Sequence, residues 1–402
     1  MQFTPNILLS FFLGLLISLY SVPIIIKVSH LLKLFDKPNE RSAAKTAIPT
    51  LGGIAIFFGF ICSATIGLSS DELPEMIYIL LVLTIMFFVG LKDDIVILSW
   101  WKKLLAQVIV TLILIFLAKI RITHLHGFLG FEEIGIFPGA LLTVFTIVVI
   151  INSFNLMDGI DGLAAGLSML AIAIFGTWFL VSGHYQYAII SVSLFGSVAG
   201  FFYYNVYGKQ NKIFMGDTGS LVLGTIMSVI VIKFNEFNID IAQAYSVHYS
   251  PVISFAILIY PLADTLKVFT IRILQFRSPF VADKNHLHHR LLILGFSHQK
   301  ATYTIIVINL LFIGSAFMLQ PSGMILLLSF MILSGSFLFM LPAYFIQKRN
   351  LIKKNDPHQQ LLMPGSIHQI LENRKKHINL TRQKVRKHTE NVQSFIQNIN
   401  IW

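Results

Sequence analysis

The sequence predicts an all-α polytopic membrane protein, and three observations support that fold class. Hydrophobic residues make up 55% of the 402 residues, whereas charged residues make up only 12%. The mean hydropathy is +0.75, so the chain as a whole is apolar. Apolar stretches of about 17 to 25 residues, the length that crosses a bilayer as a helix, recur along the chain.

These stretches predict about 11 transmembrane helices. They cover residues 7–29, 48–68, 76–91, 104–120, 136–152, 163–182, 186–206, 219–234, 250–271, 303–319 and 323–346. The first stretch has neither a basic leading segment nor a cleavage site of small residues, so we expect it to be retained as an anchor. The lone cysteine, Cys62, lies in the second stretch and excludes an internal disulfide.

The distribution of Lys and Arg predicts the orientation of these spans. Most basic residues of the loops lie in the odd-numbered loops, whereas the even-numbered loops hold little beyond Lys119 and Arg121. We therefore expect the odd-numbered loops and the C-terminus in the cytoplasm, with the N-terminus outside. An odd number of spans agrees with termini on opposite sides.

The composition divides the chain into a membrane domain at residues 1–347 and a basic cytoplasmic tail at residues 348–402. The tail carries a basic cluster from Arg374 to Lys387, and apolar residues follow it. This pattern is typical of an interfacial amphipathic helix drawn to anionic lipid. A partly disordered tail that only reinforces the topology explains the same composition.

Seven aspartates lie at or near the ends of the apolar stretches, in a chain with only 19 acidic residues. A charge at the bilayer centre costs about 2.5 to 3.5 kcal/mol on the mildest scale, so such residues usually have a partner and a function. They are Asp93, Asp94, Asp158, Asp161, Asp217, Asp264 and Asp283. All but Asp264 fall in loops that are predicted to be cytoplasmic, so we expect the active site on that face.

Two adjacent carboxylates, Asp93 and Asp94, end the third span. Adjacent helical residues point about 100° apart, so both reach one polar crevice only at a helix end. There, one can bind a cation and the other a proton or the substrate. Taken alone, the pair fits better a solvated helix end near Lys92, Lys102 and Lys103.

The segment from Asn152 to Gly162 contains two Asp-Gly steps, at Asp158 and Asp161, with Asn155 shortly before them. The glycines let the backbone approach a ligand, and asparagine supplies donors and acceptors. A calcium-binding EF-hand is excluded, because its further oxygen ligands and its terminal Glu are absent. An ordinary turn between spans is the alternative, although the segment has no basic residue on a basic face.

The segment Phe214–Ser220 opens the eighth span with a glycine-rich helix start. Free backbone N–H groups and the positive end of the helix dipole suit a phosphate, and Asp217 can carry Mg²⁺. Phe214 can stack on a nucleobase. In the alternative interpretation, Asp217 or Thr218 caps the helix.

The ninth loop holds three histidines beside an arginine: His286, His288, His289 and Arg290. The neighbouring cations disfavour a zinc site, whereas hydrogen bonds to a pyrophosphate or a sugar fit better. A solvated cationic loop is the alternative. Upstream, Pro261 can kink the ninth span and bring Asp264 to the crevice, and plain helix packing through small residues is the alternative.

Four blocks, in this order and on one predicted face, make the chain similar to the polyprenyl-phosphate N-acetylhexosamine-1-phosphate transferase family, glycosyltransferase family 4. The blocks are Gly90 to Asp94, Asn155 to Leu163, Phe214 to Ser220 and His286 to Arg290. The likeness spans residues 7–347. The His-x-His-His block, followed by Arg290 and two leucines, resembles the branch of enterobacterial-antigen and teichoic-acid initiators rather than the peptidoglycan branch.

The resemblance implies Mg²⁺-dependent transfer of N-acetylglucosamine-1-phosphate from UDP-GlcNAc to undecaprenyl phosphate, with release of UMP. This step would begin the synthesis of O-antigen, teichoic acid or capsule at the inner membrane of a bacterium. Mn²⁺ is expected to substitute for Mg²⁺, and a homodimer fits the family. Membrane lipid is an expected partner, and nucleic acid is not.

The resemblance also implies a function for each site residue. Asp217 is the expected metal ligand, and Asp93 and Asp94 are the expected catalytic residues, which orient the prenyl phosphate or take its remaining proton. The expected substrate-binding residues are Asn155, Asp158, Asp161 and Phe214 for the nucleoside, and His286, His288, His289 and Arg290 for phosphate and sugar. Between Arg41 and Pro49 many relatives carry a His that this chain lacks, so a substrate contact of that loop is not carried over.

Three alternatives stay open at the level of sequence. Another UDP-N-acetylhexosamine donor, of the FucNAc type or carrying phospho-MurNAc-pentapeptide, would undergo the same chemistry. A secondary transporter also suits about 11 spans with acidic residues, although most of these acids lie in loops and no internal repeat is visible. A scaffold for other enzymes explains none of the loop motifs.

Overall fold

The computed structural model describes residues 3–36, 48–68, 74–274 and 286–355. Its helices are α1 (Phe3–Leu32), α2 (Gly52–Gly67), α3 (Met76–Ile95), α4 (Trp100–Phe116), α5 (Ile136–Met157), α6 (Leu163–Val181), α7 (Tyr185–Tyr207), α8 (Gly216–Phe237), α9 (Ser250–Ile257), α10 (Ile259–Leu274), α11 (Leu287–Ile293), α12 (His298–Leu319) and α13 (Met324–Asn355). Two short antiparallel pairs join β1 (Phe35–Asp36) with β2 (Ile48–Pro49) and β3 (His124–Phe128) with β4 (Phe131–Glu133). The predicted helical class is confirmed.

Eight helices of the described ranges are long and apolar enough to cross a membrane, namely Pro5–Leu32 of α1, α3, α5, α6, α7, α8, His298–Ser322 and Met324–Arg349. The predicted second span corresponds to the shorter α2, with 16 residues, and the fourth to α4, with 17. The chain is therefore a multi-pass membrane protein. The count of 11 spans and their orientation stay predictions.

The predicted ninth span is divided into α9 and α10, which meet between Ile257 and Ile259. This interruption frees backbone groups, and the buried Asn309 of α12 bonds to both sides of it. Its Nδ2 donates to the Ile257 carbonyl oxygen at 2.9 Å, and the Tyr260 N–H donates to its Oδ1 at 3.3 Å. Pro261 lies in the first turn of α10, where a missing N–H is tolerated, so the break precedes the proline that was expected to cause it.

Helix α8 lies at the centre of the bundle, because 83% of the 18 residues in its most apolar segment are buried. It packs against α2, α3 and α5, while α1 packs against α2 and α7. The approach of α2 to α8 requires glycine, since a Cβ at Gly53 would overlap the Gly219 backbone. The N-terminus of α8 is thereby enclosed by the ends of its neighbours.

The chain forms two compact units, Met1–Ala343 and Tyr344–Trp402. All the elements from α1 to α12 belong to the first unit, and the second is described only as far as the end of α13, at Asn355. The predicted boundary between residues 347 and 348 stays a prediction. The basic cluster of the tail, Asp283 and the loop after Arg41 lie outside the described residues.

Candidate active site

The start of α8 is held by a carboxylate from the end of α3. Asp94 Oδ1 accepts the Asp217 N–H at 2.7 Å, and Oδ2 accepts the Thr218 N–H at 2.9 Å and the Thr218 hydroxyl at 2.5 Å. The first N–H groups of a helix have no partner inside the helix, and a negative charge is favourable there. Asp94 therefore provides the cap that the sequence also allowed for Asp217 or Thr218.

Glycine at position 216 makes this close approach of α3 to α8 feasible. Gly216 has φ +72°, in the left-handed region that glycine adopts without strain. A Cβ there would overlap the Thr50 carbonyl oxygen and lie 2.7 Å from Asp94 Oδ2. Any larger residue would separate the Asp94 carboxylate from the N–H groups that it accepts.

The segment before α8 pairs with the segment that enters α2. The Phe214 N–H donates to the Pro49 carbonyl oxygen at 2.8 Å, and the Gly52 N–H donates to the Phe214 carbonyl oxygen at 2.9 Å. A further bond runs from the Gly53 N–H to Met215 at 2.9 Å. The Pro-Thr-Leu-Gly-Gly sequence at the entry of α2 is thus a support for the site.

Lys103 of α4 joins the carboxylates of α3 and α8. Its Nζ lies 2.6 Å from Asp93 Oδ2 and 3.9 Å from Asp217 Oδ1. The ammonium group of Lys103 is thus shared between the Asp93 and Asp217 carboxylates. Asp93 Oδ1 accepts the Leu98 N–H at 2.5 Å. Sequence reasoning placed Lys103 only among the loop cations, because nothing in its spacing distinguishes it from Lys102.

The acidic side chains differ in how far a reactant can reach them. The side chain of Asp93 is 3% exposed, whereas that of Asp217 is 31% exposed. Asp94 is also partly exposed. Asp217 and Asp94 are therefore accessible to a reactant, whereas Asp93 is covered and bonds to Lys103.

Asn155, in the last turn of α5, contacts the same centre. Its Nδ2 donates to Asp217 Oδ1 and, at 2.9 Å, to Ser220 Oγ. The structure thus brings the predicted nucleoside residue Asn155 directly to the predicted metal ligand Asp217. Its function in nucleoside binding stays a prediction.

The turn between α5 and α6 is fixed through Asp161. Its Oδ2 accepts from Lys212 Nζ at 2.5 Å and from His298 Nδ1 at 3.1 Å, and the Thr302 hydroxyl donates to its carbonyl oxygen at 2.8 Å. Burial alone would raise the pKa of Asp161, but the bonds from His298 and Lys212 hold that pKa below its ordinary value. Asp161 Oδ1 is buried and has no partner within the described ranges, so it can accept a bond from a ligand.

Asp158, at the other end of the turn, has the opposite electrostatics. Burial, followed by the negative charge of Asp94, raises the pKa of Asp158 to about 7, although a hydrogen bond from the Gly216 backbone opposes the shift. Two aspartates three positions apart thus differ in charge near neutral pH. Such a divergence is typical of a functional site.

Asn205 of α7 links the turn to the segment before α8. Its Oδ1 accepts the Gly162 N–H at 2.6 Å, and its Nδ2 donates to the Ile213 carbonyl oxygen at 2.9 Å. Next to Ile213 the partly exposed Phe214 ring lies 5.9 Å from Lys212 Nζ. Sequence reasoning missed Asn205, because a single asparagine inside an apolar span carries no motif.

Two of the three histidines are buried and held from α10. His286 Nδ1 lies 2.7 Å from Asp264 Oδ2, and the Leu287 N–H donates to Asp264 Oδ1 at 3.1 Å. His288 Nδ1 lies 3.0 Å from the Tyr260 hydroxyl. The His286 and His288 rings are parallel within 7°, with centroids 5.5 Å apart. From the sequence, Asp264 was expected to reach the crevice. In the structure it is buried and contacts His286.

The histidine block also reaches the turn between α5 and α6. A Cβ at Gly159 would overlap His288 Nε2, so the glycine leaves space for the ring. Burial, followed by the charges of the neighbouring histidines, lowers the pKa of His288 well below its ordinary value, which keeps the ring neutral. His289 and Arg290 are partly exposed. The structure therefore brings all four sequence blocks together.

The carboxylates of the site differ in whether they can hold Mg²⁺. Among residues 3–36, 48–68, 74–274 and 286–355, no three His, Cys, Asp or Glu side chains are grouped to hold a metal. Mg²⁺ needs only one or two carboxylates, however, and keeps waters or substrate phosphates as its other ligands. The partly exposed Asp217 carboxylate fits such an ion, whereas the buried Asp93 carboxylate already bonds to Lys103 and to the Leu98 N–H.

A carboxylate centre with a lysine and a glycine-rich helix start, enclosed by apolar helices, defines the class of an integral membrane enzyme. The chain matches the family model described as Glycosyl transferase family 4 over residues 76–235. It is 32% identical over 320 residues, 79% of this chain and 86% of the relative, to the probable undecaprenyl-phosphate N-acetylglucosaminyl 1-phosphate transferase of Bacillus subtilis (strain 168). It is 30% identical over 278 residues, 68% of this chain and 73% of the relative, to the undecaprenyl-phosphate alpha-N-acetylglucosaminyl 1-phosphate transferase of Salmonella typhi.

The chain therefore belongs to glycosyl transferase family 4, and it is a transferase. This confirms the family that the four sequence blocks indicated. Membership of this family also excludes the two other classes considered from the sequence, a secondary transporter and a scaffold for other enzymes. The predicted residues Asp93, Asp94, Asn155, Asp158, Asp161, Phe214 and Asp217 lie inside the matched range, whereas the histidine block lies beyond it.

Proposed function

We propose that this chain transfers N-acetylglucosamine-1-phosphate from UDP-GlcNAc to undecaprenyl phosphate in the inner membrane of a bacterium, giving undecaprenyl-pyrophosphoryl-GlcNAc and UMP. The observation that supports this proposal most directly is the contact between the Asp94 carboxylate and the Asp217 N–H at the start of α8, next to Asp93 and Lys103. The names of the Bacillus and Salmonella relatives support undecaprenyl phosphate as the acceptor and N-acetylglucosaminyl 1-phosphate as the transferred group. The product would initiate a cell-surface polysaccharide.

The reaction joins two polyanions, and the charges of the site suit that task. A phosphate monoester has a second pKa near 6, so the lipid phosphate is mostly a dianion at neutral pH and a competent nucleophile. When bound, Mg²⁺ would offset the negative charge of the pyrophosphate and of the departing UMP. Asp217, whose side chain is partly exposed, would hold it.

The division of work among the acids follows from their exposure. Asp94 and Asp217 are accessible from the crevice, so they are the groups that meet the reactants. Asp93, with its 3% exposed side chain, fixes Lys103 so that its ammonium group faces the centre. Asp94 also keeps the first N–H groups of α8 in place, beside the position of the phosphates.

The nucleoside is proposed to lie on the turn between α5 and α6. Phe214 offers a ring for stacking on uracil, a contact that contributes about 1 to 3 kcal/mol in other nucleotide complexes. The buried Asp161 Oδ1 is an acceptor for a donor of the ligand. His289 and Arg290 are the partly exposed members of the histidine block and are proposed to contact phosphate or sugar.

The test is transfer of radiolabel from UDP-GlcNAc into a butanol-extractable lipid by the purified chain, with undecaprenyl phosphate and Mg²⁺. Asp217→Asn and an excess of EDTA should each abolish transfer, whereas Asp240→Asn, at an exposed loop position, should not. Transfer only from another UDP-N-acetylhexosamine would change the donor and keep the reaction. No transfer from any such donor would reject the proposed function.

A further inference from the structure

Asp264 is a charged residue in an apolar helix, and the mechanism above does not use it. It is 3% exposed, and both of its carboxylate oxygens are engaged by the start of α11. Acidic residues buried in membrane proteins are costly and usually functional. The function of Asp264 is therefore inferred from the residue that it contacts.

That partner is the histidine block, which α10 engages through two side chains. Tyr260 and Asp264 are four residues apart, so they lie on one face of α10. Tyr260 contacts His288 Nδ1, and Asp264 contacts His286 Nδ1. Asn309 fixes the N-terminal end of this helix at the break. Side chains of α10 thus fix the orientation of the His286 and His288 rings.

The contact with Asp264 determines which nitrogen of His286 carries the proton. An ionised carboxylate only accepts hydrogen bonds, so Nδ1 must be the donor at 2.7 Å. Nε2 is then the nitrogen that remains for an interaction elsewhere. Fixing one ring nitrogen through the other is a common way to set the chemistry of a histidine.

We propose that Asp264 is a positioning residue for the transfer reaction, which acts through His286 by fixing its orientation and its Nδ1–H form. Asp264 itself does not touch the substrate. The inference rests on the proposed function for its effect on rate, and on geometry alone for its effect on the histidine. In the competing account, Asp264 only anchors the start of α11 through the Leu287 N–H.

The first test is a double-mutant cycle in the transfer assay. Asp264→Asn keeps an oxygen for the Leu287 N–H, but its amide no longer imposes the Nδ1–H form. Loss of the residue that orients a metal-bound histidine typically lowers activity about 10- to 100-fold, and by analogy we expect a loss of that size here, in kcat rather than in KM. In a His286→Gln background, Asp264→Asn should cost nothing further, because the residue through which it acts is gone.

Two controls separate positioning from folding. Tyr260→Phe should lower activity through His288 and should combine additively with Asp264→Asn, since each acts on a different ring. Asp240→Asn, an exposed position, should leave the rate unchanged. Additive losses of Asp264→Asn and His286→Gln, with a lowered melting temperature in detergent, would overturn the proposal in favour of an anchoring function.

A second measurement decides the inference even when the proposed function fails. Solid-state nitrogen NMR of histidine-labelled protein identifies the His286 signal as the one missing in His286→Gln. We expect that signal to show the Nδ1–H form in the wild type and to lose it in Asp264→Asn. An unchanged signal overturns the inference. A wild type that transfers no sugar phosphate rejects the proposed function and leaves this spectroscopic result decisive.

Discussion

The aspartates at the start of α8 are partly exposed, whereas the aspartate on α10 is covered by a histidine. Asp217 has a 31% exposed side chain, and Asp94 accepts N–H groups of α8 from a partly exposed position. Asp264 is 3% exposed and bonds to His286 and to the backbone of α11. One region presents carboxylates to reactants, and the other uses a carboxylate to orient a side chain.

The charge of an acidic residue near the membrane therefore does not by itself define its function. A carboxylate in the crevice acts on the reaction directly, so its removal should be severe in any background. A covered carboxylate acts through its partner, so its removal should matter only while that partner is present.

The largest effect is expected for Asp94→Asn. The single amide oxygen cannot replace both carboxylate oxygens, which accept three hydrogen bonds at the start of α8, and the negative charge is lost. We expect transfer to fall about 1000-fold, in the range for removal of one essential acid or one preorganised electrostatic contact. Initial rates at saturating donor measure this, with Asp240→Asn as the matched control. A rate within about tenfold of the wild type would remove Asp94 from the reaction centre.

The next effect is expected for Gly216→Ala. Gly216 and Gly183, at the end of α6, have φ values of +72° and +83°, so alanine strains both by about 1 to 2 kcal/mol. Only at position 216 would the added Cβ meet Thr50 and Asp94, and nothing lies within 4 Å at position 183. Misplacement of α8 by about 1 Å should lower transfer about 100-fold, while Gly183→Ala should keep its activity.

Melting temperatures in detergent separate the two contributions in this pair. Equal losses of stability with unequal losses of activity would show that the clash at Asp94 affects the reaction centre. Equal losses of activity would show instead that backbone strain alone explains the effect.

Much of the fold could be predicted because the bilayer imposes a simple rule on sequence. Ten of the eleven predicted stretches each correspond to one helix, the ninth is divided into α9 and α10, and the four motif blocks converge in space. The interruption between Ile257 and Ile259 could not be predicted, because the bonds that tolerate it come from Asn309, about 50 residues away. A lone asparagine in an apolar span looks the same whether or not it supports a break.

The site shows the same limit. Asp94 and Asp217 stood out because carboxylates are rare in an apolar chain, and their motifs have the right spacing. Lys103 and Asn205 did not, because their importance lies in which residue each one reaches across the bundle. Contact between distant segments is decided by packing, which a single sequence does not display.

A smaller effect is expected for Lys103→Gln. The ammonium group bonds to Asp93 and approaches Asp217, and a charged hydrogen bond contributes about 1.5 to 3 kcal/mol. The lower part of that range applies, since the Lys103 side chain is 22% exposed, so transfer should fall about tenfold to thirtyfold. The neighbour Lys102 is exposed, and Lys102→Gln is the matched control. Equal rates for the two variants would remove Lys103 from the centre.

The smallest effect concerns pH and the two aspartates of the turn between α5 and α6. The pKa of Asp158 is raised to about 7, so its carboxyl is largely protonated near pH 6 and ionised near pH 8, whereas Asp161, with a lowered pKa, stays ionised throughout. Ionisation of Asp158 adds a negative charge beside a bound nucleotide, a repulsion of about 1 kcal/mol. The affinity for UMP in EDTA should therefore fall about fivefold from pH 6 to pH 8 relative to Asp158→Asn, a comparison that cancels the titration of UMP itself. Calorimetric titration measures both proteins, and parallel pH profiles for the two would show that Asp158 does not face the nucleotide.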